Sequence, residues 1–263
     1  MSSGPQIAVV DLVSTDVAES ARAYARLLGR AEPSNDVDVA STRVRLRPKD
    51  YGDHRVLLGN ADADGHARLL GRRGLNVSNP NVSNPAAAAE PTREWHVADL
   101  PFGVISAPVA HTDAAQTTGI SPDISGIDHL VFQSPDRHHA VALFGATLGL
   151  DFRLDRRVVN GLRQLFFRHG ELVIEVVVPD RPPADESVRL WGIAWRSNDI
   201  DATYRRLGES GVEVSQVRTG RKPGTRVATV DDDALATRTI IIASERAPER
   251  SAHSGSGEPT VRR

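Results

Sequence analysis

The stretch GIDHLVFQSPD, residues 126–136, carries the clearest structural pattern in the chain. Its apolar run IDHLVF predicts a β-strand, and the turn SPD that follows offers Asp136 as the N-cap of a helix. His129 lies inside this apolar strand, where an imidazole is an unusual residue. The stretch therefore predicts a strand, a turn and a helix start, and it leaves open whether His129 binds a ligand or only packs in the core.

The segments after this stretch complete a βαβββ unit. RHHAVALFGATLGL has apolar residues at helical spacing and ends at Gly149, and the runs DFRLDRRVV, LRQLFFRHG and ELVIEVVVP read as three strands. The same order recurs in WGIAWRSND, DATYRRLGESGV, VSQVRTG, RVATVDDD and TRTIIIAS. A shift of 63 residues places Asp136 on Asp199. Two consecutive βαβββ units are therefore predicted for residues 126–244.

The first half of the chain aligns with the second half through similar shifts. Adding 120 superposes Asp16 on Asp136 without a gap and places Val9 on His129, and adding 137 aligns NADADGHARLLGRRGL with the helix of the last unit. Residues 31–54 leave little room for three full strands. The sequence thus predicts an α+β protein of tandem βαβββ units, with an eroded first half.

The predicted organisation is a degenerate N-terminal domain over residues 1–116, a linker over 117–125, a second domain over 126–244 and a tail over 245–263. The tail is rich in Ser, Gly, Pro and charge, so it is predicted to be disordered. Residues 76–92 contain the direct repeat NVSNPNVSNP and form a turn-rich insertion to which no chemistry is assigned.

Composition excludes several classes of function. The net charge is −2, which gives no general attraction to nucleic acid, and the chain has no cysteine for disulfides, thiolate ligands or a nucleophile. No apolar run approaches the roughly 20 residues that span a bilayer, and the start MSSGPQ does not resemble a signal peptide. We find no dinucleotide, Walker A, nucleophile-elbow or zincin motif. The prediction is a cytoplasmic protein, monomer or homodimer, whose partner is a small molecule and not nucleic acid or a membrane.

Residues 126–244 resemble a vicinal-oxygen-chelate domain, the superfamily of glyoxalase I, extradiol dioxygenases, methylmalonyl-CoA epimerase and the bleomycin and fosfomycin resistance proteins. The motifs IDHLVF, LFGATLGL, LVIEVVV and GIAWRSNDIDATYRRL carry the resemblance. It implies that the tandem βαβββ units pair into open, cup-shaped sheets. In metal-dependent members the first and fourth strands of each unit point His, Glu or Gln into the cup.

Position by position, the resemblance places the first-strand ligand on His129 and the fourth-strand ligand on Glu175. The matching places of the second unit fall on Gly192 and Ile241, whose side chains cannot bind a metal. One divalent ion (Zn, Ni, Mn or Fe) held by His129 and Glu175 is thus implied with an incomplete ligand set. Conceivable third donors from the first half, each more simply read as an ordinary loop or strand-end histidine, are His54, His96 and His111.

The residues themselves make His129 and Glu175 a candidate catalytic pair. By the period of two in a strand, Glu175 shares a face with Val173 and Val177, and an ionised carboxylate there is expensive to bury without a compensating partner. A divalent cation, an imidazolium or an arginine would each compensate it. The plainer interpretation is that His129 and Glu175 only hydrogen-bond each other or water.

Further polar residues are candidates for substrate binding. Gln133 could orient a carbonyl group, and Arg163 could pair with a carboxylate or enolate, although its parity depends on where the hairpin turns. Arg196 has the parity to project into the same cup. Trp191 and Trp195 have the opposite parity and are predicted to pack in the core or an interface.

Two functions of different classes are compatible with these residues. The first is a glyoxalase-like lyase or isomerase that acts on a small oxygenated metabolite by proton transfer, with Glu175 as base and a metal bound partly by His129. The alternative is a metal-free protein that sequesters a hydrophobic or anionic ligand, as antibiotic-resistance members do. Extradiol dioxygenase activity is disfavoured, because His129 alone matches the required triad.

Overall fold

The computed structural model describes residues 8–80, 93–106, 123–158, 161–181 and 187–245. The predictions that fall wholly or largely outside these residues concern the first residues of the chain, most of the insertion at 76–92, His111, most of the linker at 117–125 and all but the first residue of the tail at 245–263. No helix within the described residues is long and apolar enough to cross a membrane.

The first half forms one mixed seven-stranded sheet with two helices. Its elements are β1 (Ala8–Ser14), α1 (Val17–Leu28), β2 (Asp36–Val39), β3 (Thr42–Pro48), β4 (Arg55–Asn60), α2 (Ala63–Arg72), β5 (Val77–Ser78), β6 (Glu94–Val97) and β7 (Phe102–Ser106). The strand order is β2-β3-β1-β4-β7-β6-β5. The strand β1 is parallel to β3, and β4 is parallel to β7. Only two strands follow α1 within the first unit, so this unit is eroded as the short segment predicted.

The second half forms a mixed nine-stranded sheet. Its elements are β8 (Ile124–Gln133), α3 (Arg137–Ala140) continued by a π-helix (Val141–Thr147), β9 (Asp151–Arg157), β10 (Arg163–His169), β11 (Leu172–Val178), β12 (Arg189–Ser197), α4 (Ile200–Glu209), β13 (Glu213–Val214), β14 (Arg218–Thr219), β15 (Thr225–Asp231) and β16 (Arg238–Ser244). The order is β13-β15-β16-β12-β8-β11-β10-β9, and β14 pairs with β15. These are the two predicted βαβββ units, with the third element of the last unit split into β13 and β14.

Local sequence explains why the units repeat. Asp16, Asp136 and Asp199 each cap the following helix by accepting a hydrogen bond from a backbone N–H of its first turn, at 2.9–3.1 Å. Gly149 ends the third helical segment with a left-handed φ of 74°. This segment was predicted as a plain α-helix, but it becomes a π-helix after one turn. In this wider helical turn, both Leu143 and Phe144 are buried in the core.

The two halves share one hydrophobic core. Phe102 of the first half stacks on Phe132 of the second at a centroid distance of 4.7 Å, and Phe144 lies 5.3 Å from Phe102. Tyr24 of α1 meets Trp195 of β12 edge to face at 6.1 Å. Because these side chains are buried and interlock residues from both sheets, neither half packs its core alone.

Candidate functional site

The concave face of the nine-stranded sheet encloses a cavity of about 1340 Å³. His129 and Glu175 line it from the first unit, and Trp191 and Arg196 line it from β12. This cavity corresponds to the cup that the family resemblance implied, and the candidate site lies on its wall.

His129 and Glu175 meet on the cavity wall. β8 and β11 run parallel and adjacent, and the register pairs His129 with Val173 and Val131 with Glu175. The two side chains are therefore diagonal neighbours on one face. The His129 Nε2 atom lies 3.2 Å from the Glu175 Oε2 atom, and both residues are largely buried. The geometric part of the prediction, a His129–Glu175 contact within the cup, is present in the structure.

Asp128 completes the surroundings of the imidazole. Its Oδ2 atom lies 2.9 Å from His129 Nδ1. Neighbouring residues on a regular strand face opposite sides of the sheet. In the pairing of β8 with β12, however, His129 is paired with Ala194 and Ile127 with the next residue, Trp195, so Asp128 is an extra residue without a partner on β12. This β-bulge turns Asp128 into the cavity, beside His129. Strand parity alone could not identify it.

A second residue absent from the sequence prediction holds the other carboxylate oxygen. Buried Gln164, on β10, donates a hydrogen bond from Nε2 to Glu175 Oε1, and its own Oε1 accepts one from Arg156 Nε at 3.0 Å. The signal for Gln164 was available, because it shares strand parity with Phe166, the register partner of Glu175. The carboxylate is thus fixed between an imidazole and an amide.

The two flanking carboxylates keep His129 protonated. Burial lowers the pKa of His129, but the hydrogen bonds and negative charges of Asp128 and Glu175 outweigh burial and raise this pKa to about 9. The hydrogen bond from His129, together with the nearby charge of Arg196, lowers the pKa of Asp128. At neutral pH the site holds an imidazolium between two carboxylates.

This charge state predicts a pH-dependent contribution to stability. A pKa raised above its unfolded value of about 6.5 means that the stabilisation is complete below that pH and is lost as the pH rises through about 9. We expect His129→Gln to lower the free energy of unfolding by about 1–3 kcal/mol at pH 6, and by progressively less up to pH 9 or so. Urea titrations at each pH measure this difference. Exposed His138→Gln is the control, and equal, pH-independent losses in both variants would contradict the assignment.

Two of the predicted substrate-binding residues lie outside the cavity lining. Gln133 stands at the end of β8, where it accepts a hydrogen bond from Arg189 Nε at 2.9 Å. Arg163 shares the parity of Leu165, which is buried in the core, so it points away from the cup and pairs with Asp155. Arg163 would face the cup only if the register of β10 were shifted by one residue.

The two other parity predictions on β12 had different outcomes. Arg196 lines the cavity as predicted, and Trp195 is fully buried in the core. Trp191, however, is 40% exposed and lines the cavity, with Arg238 Cζ 5.0 Å from its ring centre. The pairing with β8 skips Trp191, so this residue is also a bulge and does not pack in the core, while packing in an interface stays a prediction.

The second unit offers no ligand at the positions that match His129 and Glu175. Gly192 is paired with Arg238, and Ala194 is paired with Ile240, which makes Ile240 the counterpart of Glu175. The predicted counterpart, Ile241, instead faces the core and is 1% exposed. A Cβ atom at Gly192 would come within 2.8 Å of the Arg238 carbonyl oxygen, so a ligand side chain does not fit there without a backbone shift.

The donor set does not fit a stably bound divalent ion. Both ring nitrogens of His129 are engaged by carboxylates, and the described residues contain no group of three or more potential His, Cys, Asp or Glu ligands. Two of the three conceivable third donors are elsewhere: His54 Nδ1 accepts a hydrogen bond from Val13 N at 2.9 Å, and His96 lies 3.6 Å from Glu94 in the first sheet, while His111 is outside the described residues. The metal implied by the resemblance is therefore not assigned.

The corresponding face of the first sheet is occupied by its own side chains. Buried Asp11 accepts a hydrogen bond from Arg45 Nε at 2.6 Å and from the Tyr51 hydroxyl at 3.1 Å, and Arg45 also pairs with Glu94. Burial raises the pKa of Glu94, but His96 and the Arg45 guanidinium outweigh burial and lower this pKa to about 2. These charges neutralise one another, so this face is a packed polar network.

Comparisons with known proteins agree with this architecture. Residues 128–229 match the family model of the Glyoxalase/Bleomycin resistance protein/Dioxygenase superfamily. No curated protein matches the chain in sequence. Among solved structures, a mutant 4-hydroxymandelate synthase from Streptomyces coelicolor is similar with a TM-score of 0.67 and 12% identity over 92% of this chain and 93% of that chain.

Two further solved structures cover both halves. BphC, a halotolerant catechol dioxygenase, has a TM-score of 0.62 and 13% identity over 91% of this chain and 87% of that chain. The 2,2',3-trihydroxybiphenyl 1,2-dioxygenase from Sphingomonas wittichii strain RW1 has a TM-score of 0.57 and 14% identity over 90% and 89%. At these identities the likeness establishes the fold, including the predicted cup-shaped sheets, and not an activity.

Proposed function

We propose that this chain, which belongs to the Glyoxalase/Bleomycin resistance protein/Dioxygenase superfamily through residues 128–229, binds a small oxygenated metabolite in its cup and removes a proton from it. The proposed reaction is an isomerisation or epimerisation next to a carbonyl group. The observation that carries the proposal is the Glu175 carboxylate, which is fixed on the cavity wall between His129 and Gln164.

Glu175 is the proposed general base. The carboxylate takes the proton of a C–H bond adjacent to the carbonyl, and the electron pair of that bond moves into an enolate whose oxygen becomes negative. The protonated Glu175 then returns the proton to the face of the carbon from which it was taken, which gives exchange, or to the other face after the planar enolate turns over in the cup, which gives epimerisation. The step needs no oxidant or reductant. Each oxygen of Glu175 has one hydrogen-bond partner in the structure, so a lone pair remains for the substrate.

The surrounding cations support the charge that develops on the enolate. His129 is an imidazolium at neutral pH, and Arg156 lies on the same wall, where it holds Gln164. Fixed positive charges in a partly desolvated cavity stabilise a developing oxyanion without reorganising during the reaction. Gln164 and Asp128 are positioning residues in this scheme, because they contact the catalytic pair directly.

The test is solvent exchange of the substrate's α-hydrogen. Pyruvate, oxobutyrate and aromatic or alkyl 2-oxo acids are incubated with the protein in deuterated water, and incorporation of deuterium is followed by NMR. We expect saturable, protein-dependent exchange with at least one class, unchanged by a chelator because the donor set does not fit a metal. If no compound that binds undergoes exchange, or if chelation abolishes exchange and a divalent ion restores it, the proposed mechanism is wrong.

A metal-free binding protein is the second candidate. It is favoured by the second unit, where Gly192 and Ile240 supply no polar group at the positions that match His129 and Glu175. Calorimetric binding of the same compounds separates the two candidates. Binding without exchange, unchanged in Glu175→Gln, supports sequestration.

A further inference from the structure

We propose that the cup contains an anion-binding subsite on its second-unit side, formed by Arg196, Arg218, Arg221 and Lys222, which selects elongated ligands with an apolar body and a negatively charged end. The inference deepens the proposed function by naming the substrate class, and it rests on that function only for the end of the ligand that meets Glu175.

Strand pairing places two arginines on the same face of the sheet, with two apolar residues between them. Arg196 on β12 is paired with Ile242 on β16. Ile242 is paired in turn with Val227 on β15, and Val227 with Arg218 on β14. Directly paired residues share a face, and all four line the cavity. At roughly 4.8 Å per strand, Arg196 and Arg218 start about 14 Å apart along the curved sheet, with long side chains that can converge on one ligand group.

The turn between β14 and β15 adds two more cations. Arg221 and Lys222 belong to this turn and line the same cavity. Thr225 fixes the turn, because its hydroxyl donates to the Lys222 carbonyl at 2.6 Å and its own carbonyl accepts from Gly220 N at 2.8 Å. A cationic turn held in place at a cavity edge is suited to a carboxylate, sulfonate or phosphate group.

These charges are open to a ligand. Within the described part of the chain, no acidic group lies within 4 Å of the charged ends of Arg218, Arg221 and Lys222. Arg196 reaches Asp128 only at 3.4 Å and leaves about half of its side chain exposed. The acidic run Asp231 to Asp233, which also lines the cavity, follows the opposite end of β15.

The distance between this subsite and Glu175 sets the shape of the ligand. Five strand spacings separate β11, which carries Glu175, from β14, so Arg218 lies on the order of 20–25 Å from Glu175 across the strands, whereas Arg196 on β12 is two spacings from Glu175. The floor between them includes the apolar residues Ile240 and Ile242, with the small polar residue Thr229 paired with Ile240. The cavity of about 1340 Å³ exceeds the usual size of a small-molecule pocket, roughly 300–1,000 Å³. A compact metabolite cannot reach from Glu175 to the cations of β14 and the following turn, whereas an elongated anion can, with Arg196 along its path.

A matched pair of fluorescent probes tests the charge requirement directly. Anilinonaphthalene sulfonate and phenylnaphthylamine have the same aromatic body, and only the first carries a negative charge. We expect the sulfonate to bind wild type at least about tenfold more tightly than the neutral probe, and the double variant Arg218→Gln/Arg221→Gln to lose about that factor for the sulfonate alone. Raising the ionic strength should weaken the sulfonate and not the neutral probe.

The control is Arg205→Gln, which makes the same arginine-to-glutamine change once, on exposed α4, outside the cavity lining. Equal affinities of the two probes for wild type, no loss in the double variant, or an equal loss in Arg205→Gln would each overturn the subsite. Glu175→Gln should retain the sulfonate's affinity. The subsite and the proposed reaction can therefore fail separately: intact charge discrimination without any α-hydrogen exchange refutes the reaction alone.

Discussion

Glu175→Gln is expected to lower the rate of α-hydrogen exchange by about 100-fold or more while ligand binding persists. The substitution is nearly isosteric, and an amide in place of the carboxylate can still occupy the position between His129 and Gln164. An amide cannot accept a proton from carbon at neutral pH, so the loss should appear in the turnover rate and not in the substrate's affinity. Exchange rates from NMR and dissociation constants from calorimetry measure the two effects separately.

The matched control is Glu171→Gln on the hairpin that precedes Glu175. Glu171 also lines the cavity but is highly exposed and lies 3.9 Å from Arg168. The same chemical change there should leave the exchange rate within about twofold of wild type, since surface ion pairs contribute little. Equal rates in Glu175→Gln and wild type, with folding intact by circular dichroism, would remove Glu175 from the mechanism and leave ligand binding as the better explanation.

His129 and Glu175 show how much of the site the sequence could predict. Both lie on regular parts of their strands, where side-chain parity is reliable, and both face the cup. Asp128 and Trp191 were missed or misplaced because each is an extra residue in a β-bulge, which depends on the pairing of two strands and leaves no mark in either strand alone. The chemical roles of His129 and Glu175, like the predicted domain limits, stay predictions.

The fold was more predictable than the site for a local reason. Aspartate N-caps and turn glycines act over a few residues, so the repeated strand, turn and helix starts could be read directly. The orientation of Arg163 depended on the hairpin register, and the place of Ile241 depended on strand pairing across a parallel crossover. Such long-range pairings decide which side chains share a cavity. Sequence periodicity within one strand cannot fix them.

Phe144→Ala is expected to lower the free energy of unfolding by about 3–5 kcal/mol. Phe144 is fully buried in the π-helical segment, and its ring lies 5.3 Å from those of Phe102 and Phe167 and 5.5 Å from that of Phe132. Removing it leaves a cavity among aromatic rings that belong to both halves of the chain. The destabilisation should therefore affect both sheets in one cooperative transition. Urea denaturation followed by circular dichroism and by tryptophan fluorescence measures this effect.

Phe152→Ala is the matched control, because Phe152 contacts the same Phe167 ring at 5.1 Å but is 41% exposed on β9. It should lower the free energy of unfolding by about 1 kcal/mol or less. In Phe144→Ala the two spectroscopic signals should give coincident midpoints, since Trp95 reports on the first sheet and Trp191 and Trp195 on the second. Separate transitions, with one sheet retaining its wild-type midpoint, would show that the halves are stable without each other. In that case the aromatic contact across the sheets would not be what holds the cup in shape.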